Sequence, residues 1–159
     1  MSMLLPKLED GLVKVVKKTV KENKFWKNKN LDVMQDLINK VSNYYHIPED
    51  KRPKVMISKN LLFNYGTYSL SKNLIKVNKV SLVTLMHEYR HFLQYYTLSN
   101  DVLNSLNLDQ KEYDAQIWAL SVFYNTAPEM FDNAWKNGKL MAPNYDGVVQ
   151  LSEELAILF

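Results

Sequence analysis

Residues 85–95 read Leu85-Met86-His87-Glu88-Tyr89-Arg90-His91-Phe92-Leu93-Gln94-Tyr95, and the reading of this stretch decides the fold. On an α-helix, positions four apart stack one above the other, so His87 and His91 present two imidazoles from one face, as a divalent ion requires. Glu88 lies one position further round. It is placed to act as a base toward a water activated by the ion, not as a ligand. A helix is therefore predicted here, opened by Asn78 or Ser81 as N-cap and buried through Val80, Val83, Met86, Phe92 and Leu93.

Two imidazoles and one further protein group would hold an ion while leaving a fourth position open for reaction. Glu112, Ala115, Gln116 and Ala119 follow i, i+3, i+4, i+7 spacing, so they share one face of a helix predicted from an Asp109 cap to about Tyr124. The two alanines allow a neighbouring helix to come close. Glu112 is the preferred third ligand. Asp114 is the competing candidate, but two residues on it points about 200° round the helix from Glu112. Its other role would be to accept a hydrogen bond behind the site or to cap a loop. Gln94, three positions after His91, faces the same groove and would steady a ligand or meet substrate. Arg90 has two readings: buried, it needs a carboxylate partner; exposed, it is a helix-surface charge, and the exposed reading is preferred. Tyr89, Tyr95, Tyr113, Tyr124 and Tyr145 are candidate donors to a developing oxyanion. His46, the third histidine, falls at a helix end and is read as a surface residue or a partner of the helix dipole.

Working outward, Leu8, Leu12, Val15 and Val16 give an amphipathic helix over about 8–22. A second helix carries Leu31, Met34, Leu37, Ile38, Val41 and Tyr45, with Asn30 as its cap and Pro48 after its end. The period then changes. Lys54-Val55-Met56-Ile57 reads as a strand, and Thr67-Tyr68-Ser69-Leu70 with Leu74-Ile75-Lys76-Val77 flank the loop Ser71-Lys72-Asn73 as a hairpin. A small antiparallel sheet is expected, with Gly66 opening the hairpin at positive φ. Asn100 or Asp101 starts a short helical turn through 108. Pro128 starts a helix that stops at Asn137-Gly138, and a turn at 143–147 leads to a last helix over 148–158.

The chain has 159 residues, 47% of them hydrophobic, enough for one domain with its own core. It has no cysteine, so disulfides and thiolate ligands are excluded and a metal site must use His, carboxylate and water. The N-terminus lacks a signal-peptide core and no window approaches a membrane span, so no membrane partner and a cytoplasmic location are expected. Net charge is only +3, but Lys14, Lys17, Lys18, Lys21, Lys24, Lys27 and Lys29 are opposed by Glu22 alone. A solvated helix face is the preferred reading of these lysines, a phosphate- or nucleic-acid-binding patch the alternative.

The string His87-Glu88-Tyr89-Arg90-His91 with Gln94, followed by Glu112-Tyr113-Asp114-Ala115, resembles the zincin metallopeptidases of the gluzincin type, where HExxH precedes a helix reading ExxA. It is also similar to small bacterial and phage zincin domains of the ImmA/IrrE-like and SprT-like groups, whose hairpin before the active helix often ends in Asn, as Asn78 does here. The resemblance covers about 54–124. It implies Zn²⁺ on His87, His91 and Glu112, Glu88 as general base, and the strand Leu74–Val77 as the sheet edge beside the cleft, open to an extended peptide. Many relatives carry Asn or Asp where Gln116 stands, and some take the carboxylate from the position of Asp114.

The expectation is thus an α+β, zincin-like domain over 1–159: N-terminal helices over 1–50, a catalytic core over 54–124 and C-terminal helices over 127–159. Its expected activity is zinc-dependent hydrolysis of peptide bonds in a protein or peptide substrate. Two rivals are kept: a weakly catalytic zincin-like module that binds a partner protein such as a repressor, and a nucleic-acid-associated protein using Lys14 to Lys29.

Overall fold

The computed structural model describes residues 5–59 and 65–143. Within them run α1 (Asp10–Glu22), α2 (Leu31–Tyr44), a 3-10 turn over Glu49–Lys51, β1 (Lys54–Ile57), β2 (Gly66–Ser69), β3 (Leu74–Val77), α3 (Leu82–Thr97), α4 (Asn100–Ser105), α5 (Leu108–Thr126) and α6 (Pro128–Lys136). This is an α+β arrangement. Among the described residues no helix is long and apolar enough to cross a membrane.

The first two helices form where the apolar period predicts them. Leu12, Val16 and Val20 of α1 are buried, while Lys14, Lys17, Lys18 and Lys21 are exposed. Asn30 caps α2, its side chain accepting from the Val33 N–H at 3.1 Å. That helix ends where His46 turns to φ 58° and Ile47 N–H donates back to the Ser42 carbonyl at 2.9 Å. His46 is exposed there, apart from the cleft described below.

The sheet corrects two expectations. Its order is β1-β3-β2, with β2 antiparallel to β3 but β1 parallel to it, so the sheet is mixed and not wholly antiparallel. The strand Leu74–Val77 is consequently the centre of the sheet, with β1 and β2 as its two edges. Alternation in a four-residue run shows which side chains turn inward but not which strands pair with it. Burial follows the observed order: Ile75 and Val77 are wholly enclosed, whereas every residue of β2 is half-buried.

Gly66 is a third correction, because it does not adopt positive φ. A Cβ at this position would stand 2.7 Å from Thr84 Cγ2 and 3.1 Å from both Glu88 Cγ and the Lys76 carbonyl oxygen. The glycine lets the edge strand lie directly on α3. Positive φ in this hairpin falls instead on Asn73, at 47°.

Most helices start where expected, and the cap of α5 moves by two residues. Ser81 caps α3, accepting from Thr84 N–H at 3.3 Å, so Asn78 does not. Helix α4 begins at Asn100, as expected, with Ser99 as its cap, and ends at Ser105, short of 108. Asn107, not Asp109, caps α5 by a reciprocal pair: Asn107 Oδ1 accepts from Gln110 N–H at 2.8 Å and Gln110 Oε1 from Asn107 N–H at 2.9 Å. Several Ser, Asn and Asp residues compete at each start, and Gln110 three positions on favours Asn107. Gly138, at φ 64°, follows α6 as predicted. The last predicted helix, over 148–158, and the turn residues after Pro143 lie outside the described residues.

The most extensive contact between elements is α3 against α5. Ala115 and Ala119 are fully buried in α5, consistent with the close approach that their size permits. Because α1, α3 and α6 all pack around α5, it is buried without interruption from Asp114 to Phe123. A charged residue in that span must find its partner inside the protein.

Candidate metal centre

Helix α3 supplies His87 and His91, and α5 brings Glu112 opposite them. His87 Nε2 lies 3.0 Å from Glu112 Oε2, His91 Nε2 lies 3.0 Å from Glu112 Oε1, and the two Nε2 atoms are 3.2 Å apart. The three side chains form a group able to hold a metal ion.

Two glutamines determine which ring nitrogens face inward. Gln116 Nε2 donates to the Met141 carbonyl at 2.7 Å, so its oxygen is left to accept from His87 Nδ1–H at 2.8 Å. Gln94 Nε2 donates to the Lys111 carbonyl and to Asp114 Oδ2, both at 2.9 Å, so its oxygen accepts from His91 Nδ1–H, also at 2.9 Å. A carbonyl and a carboxylate cannot donate, which orients both amides. With the Nδ1 atoms protonated, both Nε2 lone pairs point at the Glu112 carboxylate.

Lone pairs from two nitrogens and a carboxylate converging on one point repel unless a cation or proton lies between them. The residues fit a divalent ion: four-coordinate geometry at about 2.0–2.1 Å from each donor sets neighbouring donors roughly 3.3 Å apart. The observed separations fall a few tenths of an ångström short of that. Titration behaviour agrees in direction. Burial alone would raise the Glu112 carboxyl, but hydrogen bonds and charge from His87 and His91 hold it far below its usual 4.5. Burial alone would lower the His91 imidazole, but hydrogen bonding and charge from Glu112, with further help from Glu88 and Gln94, raise it above 6.5.

These shifts set the pH response of metal-free protein. The lowered Glu112 value contributes stability above about 4.5 that is lost as pH falls. The raised His91 value contributes stability below about 6.5 that is lost as pH rises. Thermal unfolding in chelator should therefore show the contribution of this pair complete between those limits and declining on either side. Glu112→Gln should flatten the profile; an unchanged profile would place the pH response elsewhere.

Asp114 lies outside the group able to hold an ion. It is fully buried, and both its oxygens accept from Arg90, at 2.7 Å from Nε and 2.8 Å from Nη2. It faces away from the triad and reaches it only through Gln94. The exposed reading of Arg90 is overturned by the same geometry, since its side chain is wholly buried and its guanidinium carbon lies 5.3 Å from the centre of the Trp118 ring. Arg90 is buried because α5 covers this side of α3.

A cleft of about 1380 Å³ opens beside the triad. Glu88 lines it at 6% exposure, and burial raises its carboxyl above 4.5 against the pull of His87 and His91. Of the predicted tyrosines, Tyr95 lines this cleft. Tyr89 is in the core, its hydroxyl 2.8 Å from Ser42 Oγ. Tyr113 and Tyr124 are not in the lining, and Tyr145 lies outside the described residues. Tyr65 and Tyr68 on the β2 side were not singled out by the sequence and do line the cleft. Scans against family models, curated proteins and solved structures returned no match.

The role of Gln116 was not legible beyond its place on the face of Glu112. Gln116→Ala would free His87 Nδ1 and remove its tie to Met141. Loss of such outer hydrogen bonds costs about 10–100-fold in metal affinity, and that weakening is expected in competition with a chromogenic chelator. Unchanged affinity would show that the bond does not orient His87.

Proposed function

We propose that this protein is a zinc-dependent metallopeptidase of the zincin type, with His87, His91 and Glu112 holding the ion and Glu88 as general base. One observation carries the reading: two imidazoles with outward-tied Nδ1 atoms and a carboxylate meet at one point, beside a cleft that also contains a buried glutamate. The donor set of two nitrogens and one carboxylate is that of a catalytic zinc site with an open position. When bound, the ion would supply a Lewis acid that polarises a carbonyl and acidifies water.

The chain's own residues divide the remaining work. Glu88 follows the first histidine by one residue, about 100° round the helix, so it lies beside the ligand group without joining it. Its raised affinity for a proton suits it to take one from water and return it to the leaving amine. Gln94 and Gln116 hold the ligands in register through the reaction. The outer side of β2, a sheet edge, borders the cleft and offers main-chain groups to an extended peptide, the role first expected of Leu74–Val77. Tyr95 stacks on Tyr68 with ring centres 6.3 Å apart. Because the Tyr68 hydroxyl donates to Asn73 Oδ1 at 2.9 Å, Tyr95 is the better placed of the two to serve an oxyanion.

The direct test is elemental analysis of purified protein. One zinc ion per chain, lost in His87→Ala and in Glu112→Ala but retained in Asp114→Asn, is the expected pattern. A full complement of zinc in His87→Ala would overturn the assignment.

A further inference from the structure

Charge around the cleft is one-sided. Its lining contains four lysines, Lys29, Lys79, Lys111 and Lys139, and two carboxylates, Glu88 and Glu112. Both carboxylates belong to the centre already described. The lysines come from four separate parts of the chain: the α1–α2 connection, the β3–α3 connection, the first turns of α5, and the segment after α6. Helix periodicity explains a row of lysines on α1, but not four segments converging on one cavity.

None of the four has a carboxylate within ion-pairing distance among the described residues. Lys29, Lys79 and Lys139 are exposed, and Lys111 is half-buried with Nζ 5.7 Å from the centre of the Tyr95 ring. Much of the remaining lining is apolar, including Trp26, Leu108, Phe123 and Met130. A chain entering the cleft would therefore meet positive charge and apolar surface together.

We propose that the cleft selects acidic polypeptide: an extended segment carrying Asp or Glu on both sides of the bond to be cut, with apolar side chains next to that bond. This substrate class rests on the peptidase reading above. The four lysines attract the acidic flanks, and the β2 edge takes the main chain. A polypeptide is favoured over a nucleic acid because the peptidase reading puts amide hydrolysis at this cleft and the aliphatic lining at Leu108 and Met130 fits side chains.

The test uses three peptides with one apolar core, flanked by Asp and Glu, by Ser, or by Lys. With zinc-loaded protein at low salt, kcat/KM should be at least about tenfold higher for the acidic peptide than for the lysine-flanked one, the lower end of what electrostatic steering gives. The gap should narrow as salt shortens the screening length from about 10 Å at 0.1 M to about 3 Å at 1 M. The Lys79→Glu, Lys139→Glu double variant should keep its zinc and lose or invert the preference. Equal cleavage of all three peptides, or a preference unaltered in the double variant, would overturn the proposal and leave the peptidase reading standing.

If no peptide is cut, the peptidase reading fails, and binding decides the substrate class independently. Fluorescence anisotropy with the same labelled peptides should still rank the acidic one first. Absence of that ranking, or binding of a single-stranded oligonucleotide in preference to every peptide, would overturn the proposal.

Discussion

Glu88→Gln is expected to retain one zinc ion per chain and to lower kcat for peptide cleavage by about 10²–10⁴-fold, with KM little changed. The substitution is nearly isosteric and removes only the ability to accept a proton. Glu88 is not among the ligand atoms that converge on the centre, so metal content should not follow activity. Loss of zinc in this variant would make Glu88 a ligand, and undiminished cleavage would place the base elsewhere. If wild-type protein cuts nothing while both forms hold a partner protein equally, the scaffold serves binding and not hydrolysis.

Asp114→Ala should destabilise the fold by about 3–5 kcal/mol, because it strands the Arg90 guanidinium in the interior without its carboxylate. Both partners are wholly buried, so water cannot substitute. The variant also removes one of the two acceptors that orient Gln94, and should weaken zinc binding through His91. Replacing both residues together, Arg90→Met with Asp114→Leu, should recover most of the stability, since apolar side chains of similar size often match a buried pair. Zinc affinity should not recover with it. Urea unfolding and a zinc-affinity measurement separate the two effects. A loss of stability under about 1 kcal/mol in Asp114→Ala would mean that the pair is solvated.

Particular residues show how far local pattern reached. Helical spacing put His87 and His91 on one face, and the i, i+3, i+4, i+7 run brought Glu112 to the same side as Ala115 and Ala119. Rotation about α5 separated Asp114 from Glu112, which is the separation observed. The same rotation, however, is blind to burial. The sequence around Arg90 favours an exposed side chain because it does not say that α5 covers it. Gly66 was assigned a positive φ because glycine serves both for unusual backbone and for close approach, and only the neighbouring helix distinguishes them. Strand pairing was misjudged for a related reason: β1, β2 and β3 each have four residues, too few for composition to distinguish a central strand from an edge.

The amino-acid order alone determined most local elements and the two groups of candidate metal ligands, because helix and strand periods depend on residues a few positions apart. Tertiary structure decided which nitrogen each imidazole turns inward, which carboxylate meets them, and which lysines share a cleft. Most of those features rest on contacts between residues far apart in sequence, where Gln116 finds both His87 and Met141 and Asp114 finds both Arg90 and Gln94. Contacts over that span are set by how α3, α5 and the chain after α6 pack, and packing is a property of the whole chain.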